Sequence, residues 1–255
     1  MKHAINFGWQ FMDDYKEEYI NKLPNSSQTI DIPHCAKEVP YNYFNEEDYQ
    51  FISTYKKLFD IEENIDNKIV NLVFDGFMLK ARIYLNGNDL GQHISGWVQV
   101  KLDVTKYVKQ KGNRLVVVLD SREDKLIPPF GYAVDYLTFS GLYREVSIEV
   151  HPKTYLENIF VKSDIKGNVK VEYNKVGGDA KVTHKLLFNN EVVWESEVDV
   201  GNGISIILLI NIVSSMTGAF KSLFETLIGN ASIHDRLHVW LHIWLHDRLH
   251  DWFLN

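Results

Sequence analysis

Apolar positions along most of this chain are spaced as strands space them. From about Tyr49 they alternate with polar residues or gather in short β-branched and aromatic runs closed by turn residues. The pattern predicts strands over 50–60, 68–74, 79–85, 97–102, 114–120, 142–150, 158–162, 168–173, 181–188 and 191–197. The separators Asn86-Gly87, Lys111-Gly112-Asn113, Lys166-Gly167 and Asn189-Asn190 carry turn chemistry. Leu79, Ala81, Ile83 and Leu85 alternate with Lys80, Arg82 and Tyr84, so one face should pack and the other meet solvent. Val116 to Leu119 is apolar throughout, as in a strand buried on both faces. Helical periodicity is confined to a turn near Val104–Val108. Strands this short and frequent predict an all-β sandwich.

A domain boundary is expected at His151-Pro152-Lys153, because proline cannot donate to a ladder and a fresh run of strands follows it. Residues 1–152 are then a first unit and 153–199 a second, whose four strands are too few for a seven-strand sandwich. Composition sets off a third segment. Residues 1–199 carry 24 basic and 30 acidic side chains, whereas 200–255 carry 3 and 4, with five of the ten histidines.

The net charge of −7 argues against nucleic acid as a partner. The single cysteine, Cys35, excludes an internal disulfide framework and suits a reducing compartment. Residues 1–14 have no secretory-signal pattern, and the expected location is cytoplasmic.

The stretch from Leu72 to His93, LVFDGFMLKARIYLNGNDLGQH, resembles the amino-terminal sugar-binding domain of glycoside hydrolase family 2, which includes β-galactosidases, β-glucuronidases and β-mannosidases. The likeness continues through Gly96-Trp97, Leu102-Asp103-Val104-Thr105, Lys111 to Leu115, Pro128-Pro129, Asp135 and Ser140 to Val146, with Asp31 to His34 and Tyr55 to Lys57 upstream. Gly96-Trp97-Val98-Gln99-Val100 departs from the Gly-Gly-Tyr and Pro-Phe of many relatives. The resemblance implies a jelly-roll, galactose-binding-like sandwich over 1–152, then the start of an immunoglobulin-like sandwich.

Physically, Asn86-Gly87 fits a tight hairpin, Gly76, Gly91 and Gly141 suit bends or close backbone approach, and the Asp103 carboxylate can accept backbone N–H groups of a short helical turn. For substrate contact the resemblance nominates Asp135, whose carboxylate can accept from neighbouring sugar hydroxyls, and more weakly Asn42, whose amide donates and accepts. Solvated loop residues are the alternative for both. Arg144 is expected in a structural ion pair, and Phe130, Tyr132 and Tyr136 as loop packing or an aromatic platform.

Retaining glycoside hydrolysis needs two carboxyl groups about 5–5.5 Å apart. In the family they lie in a carboxy-terminal barrel of about 250 residues. Only 56 residues follow Asp199, and neither glutamate has a matching position here. No catalytic residue, metal ligand or cofactor is therefore assigned. The local pairs Glu46/Glu47, Glu62/Glu63, Glu123/Asp124 and Glu145/Glu149 read as solvated charge clusters.

The last segment begins with 21 uncharged residues, 200–220, diluted by Gly, Asn and Ser, so a membrane span is not favoured. It ends in a four-residue repeat of His234, His238, His242, His246 and His250, which on a helix turns by about 40° per step. Such a repeat reads as helix-compatible low complexity, with zinc binding the sharper alternative. The segment is expected to be unrelated to the family and to derive from a frameshift, rearrangement or mis-set gene end. The chain then reads as an amino-terminal part of a β-galactosidase-like enzyme, supplying sugar-site loops and scaffolding. Its partners are a β-galactoside or related sugar and a separate barrel chain; a stand-alone carbohydrate-binding module is the alternative.

Overall fold

The computed structural model describes residues 2–211, apart from 39, 44, 129, 132–138, 164–167, 189–190 and 201–202. The chain divides into two compact units, Met1–Pro152 and Lys153–Asn255.

The first unit contains β1 (Lys2–Ala4), β2 (Trp9–Met12), β3 (Gln28–Ile30), β4 (Ile52–Phe59), β5 (Lys68–Phe74), β6 (Lys80–Leu85), β7 (Asn88–Ile94), β8 (Val100–Asp103), β9 (Asn113–Asp120) and β10 (Val146–Pro152). They form a four-stranded sheet, β1-β10-β5-β8, and a six-stranded sheet, β3-β2-β4-β9-β6-β7. All named pairings are antiparallel. The core gathers Trp9, Phe11 and Tyr55 from one sheet with Leu72, Phe74 and Ile148 from the other. This is the all-β sandwich that the alternation predicts.

The alternation in β6 is realised: Leu79, Ala81, Ile83 and Leu85 are fully buried, while Arg82 is exposed. Burying each of the leucine and isoleucine side chains is worth about 1.5–3 kcal/mol. The apolar run of β9 lies between β4 and β6, and Val116, Val117 and Leu119 are buried. Val118 keeps partial exposure, because its face of the sheet is only partly covered. Asn86 and Gly87 close the β6–β7 hairpin with φ of 54° and 85°, the doubly left-handed turn that Asn-Gly favours. The Asn86 side chain also donates to Tyr107 O (2.8 Å) and accepts from Arg114 N (2.8 Å). Asp103 Oδ1 accepts from Thr105 N at 3.0 Å, starting a single helical turn in which Val108 N donates to Val104 O.

The second unit contains β11 (Tyr155–Ser163), β12 (Asn168–Val176), β13 (Ala180–Phe188), β14 (Glu191–Val200) and β15 (Gly203–Asn211). Strands order β11-β12-β15 in one sheet and β13-β14 in another. The four expected strands are thus joined by a fifth. β15 runs antiparallel to β12, with Val171 opposite Ile207, inside the segment set apart by composition. Val200, where that segment begins, is 3% exposed and packs with Val171 and Tyr173. The compositional break at Val200 therefore falls between two strands of the second unit, β14 and β15. The turns Lys166-Gly167 and Asn189-Asn190, and the repeat of residues 234–250, lie outside the described residues.

Candidate functional site

Two distant stretches of chain, 34–36 and 140–142, meet in an irregular antiparallel pairing. His34 N donates to Leu142 O and Ala36 N to Ser140 O, both at 2.8 Å. On its other side the same stretch accepts from Met78 N at Gly141 O (3.3 Å). Backbone thus lies close on both sides of Gly141, whose φ is 137°. A Cβ there would overlap the His34 carbonyl oxygen and lie 3.0 Å from Ala36 N.

Because the pairing is antiparallel, the chain leaving Ala36 and the chain arriving at Ser140 lie at the same end of it. Asn42 is six residues beyond Ala36, and Asp135 five residues before Ser140. Asn42 is exposed, flanked by the fully exposed Tyr41 and Tyr43. Asp135 lies outside the described residues, as do Tyr132 and Tyr136; Phe130 is 45% exposed.

The base of this pairing is anchored in the core. His34 Nδ1 is 2.9 Å from the Tyr55 hydroxyl, and its ring meets Phe11 edge-on at 4.8 Å. Burial lowers the His34 pKa and pushes the Tyr55 hydroxyl up, so the pair is neutral near pH 7.

Beyond the other end of the pairing is an open cleft of ≈ 470 Å³, lined by Pro33, Asp75, Trp97, Gln99, Tyr143, Arg144 and Glu145. Here Arg144 Nη1 donates to Trp97 O (3.2 Å), whereas an ion pair was expected from sequence. Asp75 accepts from Gln99 Nε2 (2.7 Å) and lies 3.4 Å from Lys2 Nζ. From sequence, Trp97 opens a strand, belongs to the family-like stretch at Gly96-Trp97 and departs from the family pattern after it; nothing marks it as a cleft residue. Its place in a cleft needs four distant stretches of chain to converge.

The local carboxylate pairs include exposed groups and groups beside cations. Glu46 and Glu47 are exposed, Glu63 lies 3.5 Å from His3, and Asp124 lies 3.3 Å from Lys80. His151 and then Lys101 hold the Glu149 carboxyl down to about 2. Among the described carboxyls with displaced pKa values, Asp89, Asp120, Asp124, Glu149 and Glu172, every displacement is downward. A general acid for glycoside cleavage needs the opposite. Among the described residues no three His, Cys, Asp or Glu side chains converge as a metal site, and no helix is long and apolar enough to cross a membrane.

Residues 9–128 match the family model described as glycosyl hydrolase 2 galactose-binding domain-like. A β-galactosidase of Thermoanaerobacterium thermosulfurigenes is 39% identical over 163 residues, 62% of this chain and 23% of that protein. A putative β-glucuronidase of Formosa agariphila is 26% identical over 237 residues, 92% of this chain and 26% of that protein. An alignment of that extent runs past Val200, so the likeness to relatives does not stop at the compositional break. The structure of Bacteroides uniformis β-glucuronidase 2 superposes with a TM-score of 0.67 at 17% identity, over 82% of this chain and 28% of that one, which shows a shared fold. The chain spans about a quarter of the length of these relatives.

Proposed function

We propose that this chain is the sugar-recognising amino-terminal part of a retaining β-glycosidase of the β-galactosidase kind, a reading supported by the glycosyl hydrolase 2 galactose-binding-like match at residues 9–128. In this reading Asp135 and Asn42 hold the hydroxyls of the terminal sugar. A loop carboxylate accepts from two neighbouring hydroxyls, and an amide donates to one and accepts from another. The two hydrolytic carboxyl groups belong to a barrel outside these 255 residues, which Asp135 and Asn42 help to load with substrate. The free, exposed thiol of Cys35 fits a reducing, cytoplasmic setting.

The observation that supports this reading is the pairing of His34 and Ala36 with Leu142 and Ser140. It brings the bases of the Asn42 and Asp135 loops to one end of a rigid backbone ladder, from residues far apart in sequence.

Ligand-observed NMR of the 255-residue chain with methyl β-D-galactoside tests it. Saturable millimolar binding is expected, weakened about tenfold or more by Asp135→Ala and less by Asn42→Ala, as loss of charged and neutral hydrogen bonds dictates. Absence of binding by the unmodified chain, or binding indifferent to Asp135→Ala, would refute it.

A further inference from the structure

The cleft at Trp97 has a construction that the scaffold does not require. Trp97 is 48% exposed and Val98 73% exposed, two adjacent apolar side chains presented by one loop. The loop presenting them is nonetheless pinned at successive residues. Ser95 N donates to Leu79 O (3.1 Å), Ser95 Oγ to Val98 O (2.6 Å), Arg144 Nη1 to Trp97 O (3.2 Å), and Gln99 Nε2 to Asp75 Oδ1 (2.7 Å). A platform held this way loses little further freedom when something settles on it.

Gly76 makes the arrangement possible. A Cβ there would stand 2.9 Å from Gly96 O and 3.0 Å from Arg144 Cδ, so bare backbone lets the arginine stem lie beneath the loop. The guanidinium has five N–H donors, of which the Trp97 carbonyl engages one. Glu145 adds an exposed acceptor on the rim. The volume of ≈ 470 Å³ falls within the usual range of small-molecule sites, about 300–1,000 Å³.

Charge narrows the class of ligand. The lining has two carboxylates, Asp75 and Glu145, against one guanidinium, and the Lys2 ammonium is already directed at Asp75. With Lys2 paired to Asp75, one guanidinium faces one carboxylate, so the cleft is close to neutral and offers an anionic ligand no net attraction. A neutral, hydroxyl-rich ring meets what it needs: an indole face for its C–H surface, and planar polar groups for adjacent hydroxyls.

We infer that this cleft is a second sugar-binding site, taking two linked neutral pyranose units of a β-linked glycan, with Trp97 as the stacking surface and Arg144, Gln99 and Glu145 as hydroxyl partners. It needs neither Asp135 nor Asn42, so it stands or falls separately from the reading of the loops. In a longer enzyme it would hold the polymer while the loops hold the terminal residue.

The test is an NMR titration of the 15N-labelled chain, following the Trp97 indole N–H, assigned with Trp97→Phe. Lactose and cellobiose are expected to shift it saturably and glucuronate not, with affinity lowered about tenfold or more by Arg144→Ala. Gln99→Ala, which leaves the arginine and the indole in place, is expected to weaken binding less, and thermal melts identify any variant that fails to fold. Binding should survive Asp135→Ala. A Trp97 signal unmoved by either disaccharide, a shift that disappears in Asp135→Ala, or a preference for glucuronate would each overturn the proposal. Loss of methyl β-galactoside binding with the Trp97 response intact would instead refute only the loop reading.

Discussion

Gly141→Ala is the substitution on which the architecture of the loop bases depends most directly. The glycine holds φ at 137°, where an L side chain is strained by about 1–3 kcal/mol. Its new methyl would also overlap the His34 carbonyl oxygen and press on Ala36 N at 3.0 Å and Cys35 Cα at 3.2 Å, all of them backbone. Relief requires residues 34–36 to draw away, loosening the two 2.8 Å hydrogen bonds to Leu142 and Ser140. At about 1 kcal/mol net for each bond, the total loss is about 3–5 kcal/mol. For a unit of this size that lowers Tm by about 6–20 °C. Gly112→Ala is the internal control. Its φ of 67° is also left-handed, but nothing lies within 4 Å of the added Cβ, so only about 1 kcal/mol of strain is expected. Urea and thermal unfolding followed by circular dichroism should separate the two variants clearly. Equal midpoints would refute the claim that close approach of the 34–36 strand, beyond backbone strain, is what demands glycine at 141.

In the β6–β7 turn, Asn86→Gly keeps the left-handed backbone but loses the side-chain bonds to Tyr107, Asn113 and Arg114, costing about 3 kcal/mol, and Asn86→Ala should cost about 1 kcal/mol more. Denaturant midpoints check that order, which reverses if φ is not limiting. Because the folded Glu149 pKa is depressed to about 2, its stabilisation is present above the ordinary glutamate range and lost as pH falls toward 2. Glu149→Gln should therefore be less stable at pH 7 and show a shallower acid limb, and an unchanged limb in urea titrations against pH would contradict the pairing with His151 and Lys101. Removing residues 201–255 takes away β15 and leaves β12 as a sheet edge. Hydrogen exchange should then rise across 155–200 while β5, at 68–74, stays protected; unchanged exchange in 155–200 would refute a structural role for β15.

What sequence reveals and what it hides divides along physical lines. β6 and β9 are legible because their partners bury one face or both, and burial imposes a pattern on the chain. β7 is not: Asn88-Asp-Leu-Gly-Gln-His-Ile94 has little strand character, and the hairpin from Asn86-Gly87 and pairing with β6 hold it extended. The short strands β1, β2 and β3, of three or four residues, are too short to show a period. β15 was hidden by a different route, since its uncharged composition was taken as a break in the protein when it marks a strand of the sheet. Asn42 and Asp135 are legible only through resemblance, because a loop position carries no periodicity. The Trp97 cleft is illegible for a third reason: its walls come from residues 33, 75, 97–99 and 143–145, and only the fold makes them neighbours.

That convergence links the two proposed sites mechanically. Pro33, Tyr143 and Arg144 line the cleft, while Ala36 and Ser140 begin the loops, so one short ladder of about 10 Å separates them. His34 ties the ladder to Tyr55 in the core, which keeps both ends fixed whether or not either is occupied. A ladder that serves only as a fixed support predicts that a sugar at one end leaves affinity at the other unchanged, because a ligand alters a distant affinity only through an element with two arrangements. It also predicts that Gly141→Ala, which opens the ladder itself, weakens both sites, whereas Arg144→Ala weakens only the cleft and Asp135→Ala only the loops. Coupling between the sites in the unmodified chain would mean that the ladder is a moving part, and that Gly141 is its hinge rather than its clamp.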